Sequence, residues 1–265
     1  MTQSGVSQHI RKLEEQLDQA LLIREGKSFC LTDAGERFYL AAKSVLESLN
    51  DLEQLVKEDN PYCGAVSIVS PGSPGLKLYP SLLTLQQQYR HLTIHYRFSP
   101  NRDVEQSMAD GLADIGLMTT APEHEMVSST VLATEPLLLV TPAEMDVVSW
   151  EGLLALGVID HPDGAYHVTQ LLSQNIATFE HYAQIPVSGF SNQISLILEP
   201  VSRGLGFTVL PAHAVNAFSG SEKIKVHQLS QVVTETLYLC TNRRRPLSAR
   251  VNTVLEEITR IMKSV

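Results

Sequence analysis

No stretch of this sequence approaches the roughly 20 continuous apolar residues that a membrane-spanning helix needs. Met1 to Ser4 are polar, where a secretory leader would carry a charged start and an apolar core. The expectation is a cytoplasmic chain with no membrane partner. Cysteine is scarce: Cys30, Cys63 and Cys240 lie far apart without a C-x-x-C pair, which excludes a zinc framework and a disulfide scaffold and predicts buried or inert thiols. Charged residues are only 18% of the chain and apolar ones 43%, the composition of a globular rather than a disordered or fibrous protein. At roughly 100 to 200 residues per domain, a chain of 265 residues holds at least two cores.

Basic charge is the remaining shortage. A net charge of −9 opposes nucleic-acid binding when evenly spread, because phosphate neutralisation supplies non-specific affinity. It is not evenly spread. Residues 1–32 balance Arg11, Lys12, Arg24 and Lys27 against Glu14, Glu15, Asp18 and Glu25, so the negative excess lies beyond them.

Periodicity predicts a helix from about Gln3 to Gln16, since Val6, Ile10, Leu13 and Leu17 fall on one face and Ser4, Ser7, Gln8 and Arg11 on the other, with Thr2 as N-cap. Taken alone, that pattern also fits a solvated surface helix. Two short strands follow, around Leu21–Ile23 and Phe29–Leu31, joined by the turn Arg24 to Ser28, and Thr32 caps a long helix over Asp33 to Glu58. Phe38, Ala42, Val45, Leu49, Leu52 and Val56 recur at spacings of 4, 3, 4, 3 and 4. Such a heptad seam predicts a paired helix, the alternative being packing on the chain's own core. After Pro61 the pattern alternates: strands over Val66–Ser70, Leu92–Phe98, Asp114–Met118, Leu137–Thr141, Gly157–Asp160, Ile185–Gly189, Phe207–Leu210 and Leu237–Thr241, mostly separated by helices. This predicts parallel sheets with crossover helices, arranged as two lobes.

Residues 2–14, Thr-Gln-Ser-Gly-Val-Ser-Gln-His-Ile-Arg-Lys-Leu-Glu, resemble the recognition-helix pattern of LysR-type transcriptional regulators. Leu21, Arg24, Lys27 and Leu31 to Gly35 follow at the spacing of that family's wing. The likeness continues through Tyr79-Pro80, Asp110 to Gly116, Arg203 to Phe207 and Leu210-Pro211. It implies an α/β fold: a periplasmic-binding-protein-like effector domain of two lobes, preceded by a dimerisation helix and part of a winged helix-turn-helix. The implied divisions are a DNA head over 1–32, a linker helix over 33–60, lobe I over 61–142 and 242–265, and lobe II over 143–241. In the family about 25 residues precede the recognition helix. Their absence here leads us to expect a truncated chain or a start assigned too late, with an authentic short form as the alternative, and an exposed apolar face on that helix.

The resemblance implies a regulator whose binding to promoter DNA is controlled by a small effector; the second reading is a sensor that binds its ligand but no longer binds DNA. Gln3, Ser4, Ser7 and Gln8, together with Thr2, suit base edges in the major groove, where glutamine pairs with adenine and hydroxyls meet several bases. Arg11, Lys12, Arg24, Lys27 and the Thr32 hydroxyl suit phosphates. A pairing helix implies a homodimer or a dimer of dimers, and RNA polymerase is a further expected partner.

For the effector the implied loops stand at strand ends: Ser70, Gly72 and Ser73; Ser99, Asn101 and Arg102; His161 and Pro162; Ser191 and Asn192. A helix starting near Leu76 would aim its amides at an anion, and Arg102 would suit a carboxylate. Each of these residue types is also an ordinary turn former. Pro71 to Gly75 is not a G-x-S-x-G elbow, and neither a histidine nor an acid is placed by sequence to activate Ser73, so no enzyme is expected. His91 and His95 are a pair across a helix-to-strand junction, so neither a metal nor a cofactor is expected. The run Arg243-Arg244-Arg245 reads as a solvated return into a C-terminal helix over Leu247 to Met262.

Overall fold

The computed structural model describes residues 3–25, 28–57 and 59–263. The chain divides into two compact units, Met1–Asp59 and Asn60–Val265.

In the first unit, helix α1 (Gln3–Leu17) ends where Asp18 takes a left-handed φ of 49°. Strands β1 (Leu22–Glu25) and β2 (Ser28–Leu31) form an antiparallel hairpin, and helix α2 (Asp33–Lys57) follows. Leu21 is the anchor. It is buried, its carbonyl accepts the Thr32 amide at 3.0 Å, and Gly35 packs so tightly on that carbonyl that a Cβ would stand 2.1 Å from its oxygen. Thr32 Oγ1 accepts the Gly35 amide at 2.9 Å and donates to the Ala20 carbonyl at 2.7 Å, which makes it the N-cap of α2. On α2, Phe38, Val45 and Leu49 of the heptad seam are exposed and Ala42 is half-buried; the side chains of Leu52 and Val56 are outside the described residues. Val6 and Leu17 on α1 are 42% and 43% exposed, so part of that helix's apolar face is uncovered.

The second unit opens with two parallel strand-helix-strand steps: β3 (Gly64–Ser70), α3 (Gly72–Gln88), β4 (Leu92–Phe98), α4 (Asn101–Ala109) and β5 (Ile115–Met118), with β3 central. Next comes β6 (Val127–Pro142), whose 16 residues serve two half-sheets. It is followed by α5 (Trp150–Leu156), β7 (Val158–Asp160), α6 (Gly164–Asn175), β8 (Val187–Phe190), α7 (Leu198–Val201), β9 (Thr208–Pro211), α8 (Ala212–Asn216), β10 (Ile224–His227), β11 (Thr234–Asn242) and α9 (Ala249–Lys263). Residues 127–136 of β6 pair with β11, which also pairs with β5. The second half of β6 pairs with β9 and β10. Separate cores lie on the two sides of this crossover. One gathers Val66, Leu78, Leu82, Ile115, Leu237 and Ile258; the other gathers Leu137, Leu139, Leu153, Val168, Phe207 and Val209.

Several expectations need correction. The parallel pattern holds for β3–β5 and for β7 with β8, but every strand on β6 and the β5–β11 pair run antiparallel. The sequence suggests only Leu137–Thr141 for β6, because its first half mixes Ser128, Ser129, Thr130 and Thr134 among the apolar residues. Strand β10 escapes sequence reading for the same reason, since Lys225 and His227 interrupt it. Helix α3 begins at Gly72, one turn before Leu76. After Asn192 stand a 3-10 turn, Ile194–Leu196, and the short α7. Of the three cysteines Cys30 and Cys63 are exposed, and burial of Cys240 pushes its thiol up to about 12. Among the described residues no helix is long and apolar enough to cross a membrane.

Candidate functional site: a recognition helix and a cleft between lobes

On α1, Gln8, Arg11 and Lys12 are exposed and Ser7 is half-buried. Thr2 and Lys27 lie outside the described residues, as do the side chains of Gln3 and Ser4. Arg24 is exposed on the hairpin. Thr32 lies apart from this set, because the one proton of its hydroxyl is committed to Ala20. Sequence reading misses Glu14. Its Oε1 accepts the amides of Leu21 at 2.8 Å and Leu22 at 3.0 Å, and these bonds hold its carboxyl below the usual carboxylate range. One acid thus fixes the angle between helix and hairpin, and its only sequence signal is its place at the end of the motif.

In the second unit the first two predicted loops meet. The Ser99 amide donates to the Ser70 carbonyl at 2.9 Å, and Ser70 Oγ lies 2.8 Å from the Tyr96 hydroxyl, which burial raises to about 12. The lobes close on one another at Gly72, where a Cβ would stand 2.7 Å from Cγ2 of Ile194. The other two loops are also joined, by the Ser191 amide on the Asp160 carbonyl at 3.0 Å. His161 is buried, and its Nε2 donates to the Val209 carbonyl at 3.0 Å. Burial, with His167 nearby, lowers its basicity. Other predicted residues stand outside this centre. Asn101 is locked to Thr119 by two hydrogen bonds, at 2.8 and 2.9 Å, and Arg102, Pro162 and Asn192 are exposed.

Of the centre itself the sequence foresees Ser73 and His161 but not the residues that join them. Ser73 Oγ donates to Glu135 Oε1 at 2.6 Å, so an acid does stand beside this serine. The same oxygen accepts the His213 amide at 2.7 Å and lies 2.9 Å from His213 Nδ1. Glu135 faces Glu235 directly across the β6–β11 ladder, one pair before β6 leaves β11. His167 Nε2 lies 3.3 Å from Glu235 Oε2, and the His161 and His167 rings are 5.3 Å apart. A chain of contacts therefore runs from Ser73 in one lobe to His161 in the other, with the two glutamates as its middle. An acid accepting directly from the serine, with the histidine beyond it, is not the serine-histidine-acid order that nucleophilic activation uses. Glu135 anchors Ser73 instead. What the sequence shows of it is an acid set among Leu132, Ala133, Leu137 and Leu138 in a strand.

Comparison with known proteins gives the family and the fold. Residues 59–263 match the family described as the LysR substrate binding domain, and residues 1–36 match the bacterial regulatory helix-turn-helix protein, lysR family. The chain is 27% identical over 271 residues to the HTH-type transcriptional regulator YeiE of Escherichia coli, covering 97% of this chain and 87% of that one. It is 23% identical to the transcriptional dual regulator GltC of Bacillus subtilis, covering 96% and 86%. Among solved structures it is similar to full-length CbnR complexed with its target DNA, with a TM-score of 0.71 at 18% identity over 99% of this chain and 91% of that one. The oxidised form of OxyR from Corynebacterium glutamicum gives a TM-score of 0.70 at 18% identity, with coverage of 98% and 84%.

Proposed function

The chain belongs to the LysR family of transcriptional regulators, and from that premise we propose that it acts in the cytoplasm on promoter DNA as a homodimer or dimer of dimers. A small effector held between the two lobes, whose sheets meet where β6 leaves β11, controls that binding. Base edges meet Gln3, Ser4, Ser7 and Gln8, and phosphates meet Arg11, Lys12, Arg24 and Lys27. RNA polymerase reads the outcome.

The observation that carries this reading is the Ser73-to-His161 chain of contacts. It places polar groups of both lobes on a crossover strand pair whose register both lobes share. A ligand that prefers one angle between lobes shifts the population of that angle, and in a dimer this respaces the two recognition helices.

The experiment is a footprint of the promoter with the full chain, with and without a ligand found by thermal shift. Protection of two half-sites that shifts or changes length with ligand supports the reading. A footprint unchanged by every stabilising ligand contradicts effector control. Ligand binding without any sequence-specific footprint supports the sensor reading.

A further inference from the structure

The anion expected at the start of α3 is already part of the protein. Glu135 takes the Ser73 hydroxyl and the His213 amide that would otherwise greet an anionic ligand. What remains on the crossover is an excess of acceptors. Glu135 is fully buried and its Oε2 has no hydrogen-bond partner; Glu235 and His167 are each 5% exposed, and neither Glu235 oxygen nor His167 Nδ1 has one. His167 Nε2 approaches Glu235 Oε2 at 3.3 Å without hydrogen-bond alignment. Directly opposite residues on an antiparallel pair hold their Cβ atoms about 5 Å apart on one face, so both carboxylates of the pair Glu135↔Glu235 face the same space. Thr134 and Pro136 turn the other way, into a cavity of about 640 Å³ beside Leu76 and Lys77.

Two buried carboxylates facing one another are costly unless positive charge and N–H donors reach them. The charged or titratable groups around them are the histidines His161, His167 and His213 together with Asp160 and Asp163, which act on His161. Arg97 donates to Ser107 and Arg102 is exposed, so the groups that stand beside the two carboxylates are His213, at 2.9 Å from Glu135, and His167, at 3.3 Å from Glu235. Among the described residues no three of His, Cys, Asp and Glu are arranged to hold a metal ion.

We infer that the effector is an organic cation, a primary amine or guanidinium compound, whose N–H groups donate to Glu135 Oε2 and to the Glu235 carboxylate, both buried where β6 and β11 cross between the lobes. The inference rests on the proposed effector cleft and names its chemistry, replacing the anion that the α3 amides suggested. A ligand of this kind links β6 to β11 where the two half-sheets meet, and so acts on the angle between lobes.

The test is a thermal-shift and calorimetric titration of the full chain with 1,4-diaminobutane and methylguanidinium, set against succinate and propionate as anions of similar size. Amines that raise Tm, while the acids leave it unchanged, support the inference. Glu235→Gln should weaken the amines at least about tenfold, the range of a lost hydrogen bond to a charged group, and it breaks no hydrogen bond of the free protein. Glu135→Gln keeps an acceptor for Ser73 and His213, and a similar loss is expected there. Stabilisation by the acids alone, no response to either class, or amine affinity unchanged in Glu235→Gln overturns the inference. None of those outcomes bears on the promoter footprint, which judges the regulatory reading separately.

Discussion

Glu14 binds the amides of Leu21 and Leu22 with one carboxylate oxygen, at 2.8 and 3.0 Å, and so joins the recognition helix to the strand that follows it. Because these bonds lower the folded-state pKa of Glu14, their contribution is fully present above the ordinary carboxylate range and is lost as pH falls through the lowered folded value. Glu14→Gln removes the charge at every pH. Amide exchange at Leu21 and Leu22 should therefore be faster in Glu14→Gln at neutral pH, and the difference from the parent should shrink as the parent's own carboxylate is protonated. Equal protection in both proteins at neutral pH contradicts the role given to Glu14.

Gly35 has no room for a side chain, since a Cβ there meets the Leu21 carbonyl oxygen at 2.1 Å. Gly35→Ala should destabilise the first unit by about 1–3 kcal/mol, as overpacking does. At Gly111 the added Cβ meets nothing within 4 Å, and only its φ of +68° is unfavourable. Gly111→Ala should then cost about 1 kcal/mol, and in the second unit only. Denaturation curves followed by probes placed in each unit separate the two effects.

The exposed seam of α2 calls for a partner of the same pattern. Val45 and Leu49 are 60% and 53% exposed, so Leu49→Lys leaves the fold of one chain intact while placing a charge in the paired interface. Analytical ultracentrifugation should show the dimer of the parent chain shifting to monomer in Leu49→Lys. An unchanged dimer assigns the pairing to another surface.

His161 supplies a pH signature for the second unit. Burial lowers its folded-state pKa, so the unfolded chain binds the proton more readily than the folded one. Stability is complete above the ordinary histidine range and declines as pH falls below it, with a slope of at most about 1.4 kcal/mol per pH unit for one proton. His161→Gln can still donate to the Val209 carbonyl, and it should flatten that part of the profile. Parallel profiles for the two proteins contradict the assignment.

The recognition helix, the hairpin, the seam and β3–β5 are legible because each rests on local periodicity or on turn chemistry. The heptad of α2 needs no knowledge of what covers it. Strand β4 is legible at its observed bounds, Leu92–Phe98, because apolar residues alternate along it. The first half of β6 is not legible, since its polar residues are tolerated only through its pairing with β11, more than 90 residues away in sequence. For the same reason the middle of the contact chain from Ser73 to His161 is hidden. Ser73, Glu135, His167, His213 and Glu235 come from five elements, and no spacing along the chain brings them together. Ser73 and His161 suggest themselves as turn residues at strand ends, and both stand at that centre. Asn101 suggests itself on the same grounds but serves its own loop, because an asparagine after a strand is equally suited to bind Thr119.

The most direct test of the regulatory account is selection of genomic DNA fragments by the full chain at physiological salt, compared with Gln8→Ala, a change on the exposed face of the recognition helix. The account predicts that the parent enriches fragments with two half-sites related by two-fold symmetry, and that Gln8→Ala loses preference at one position in each half-site, a cost of about 1–3 kcal/mol. Enrichment without a common sequence, or a motif that is the same in both proteins, would contradict the placing of this helix in the major groove.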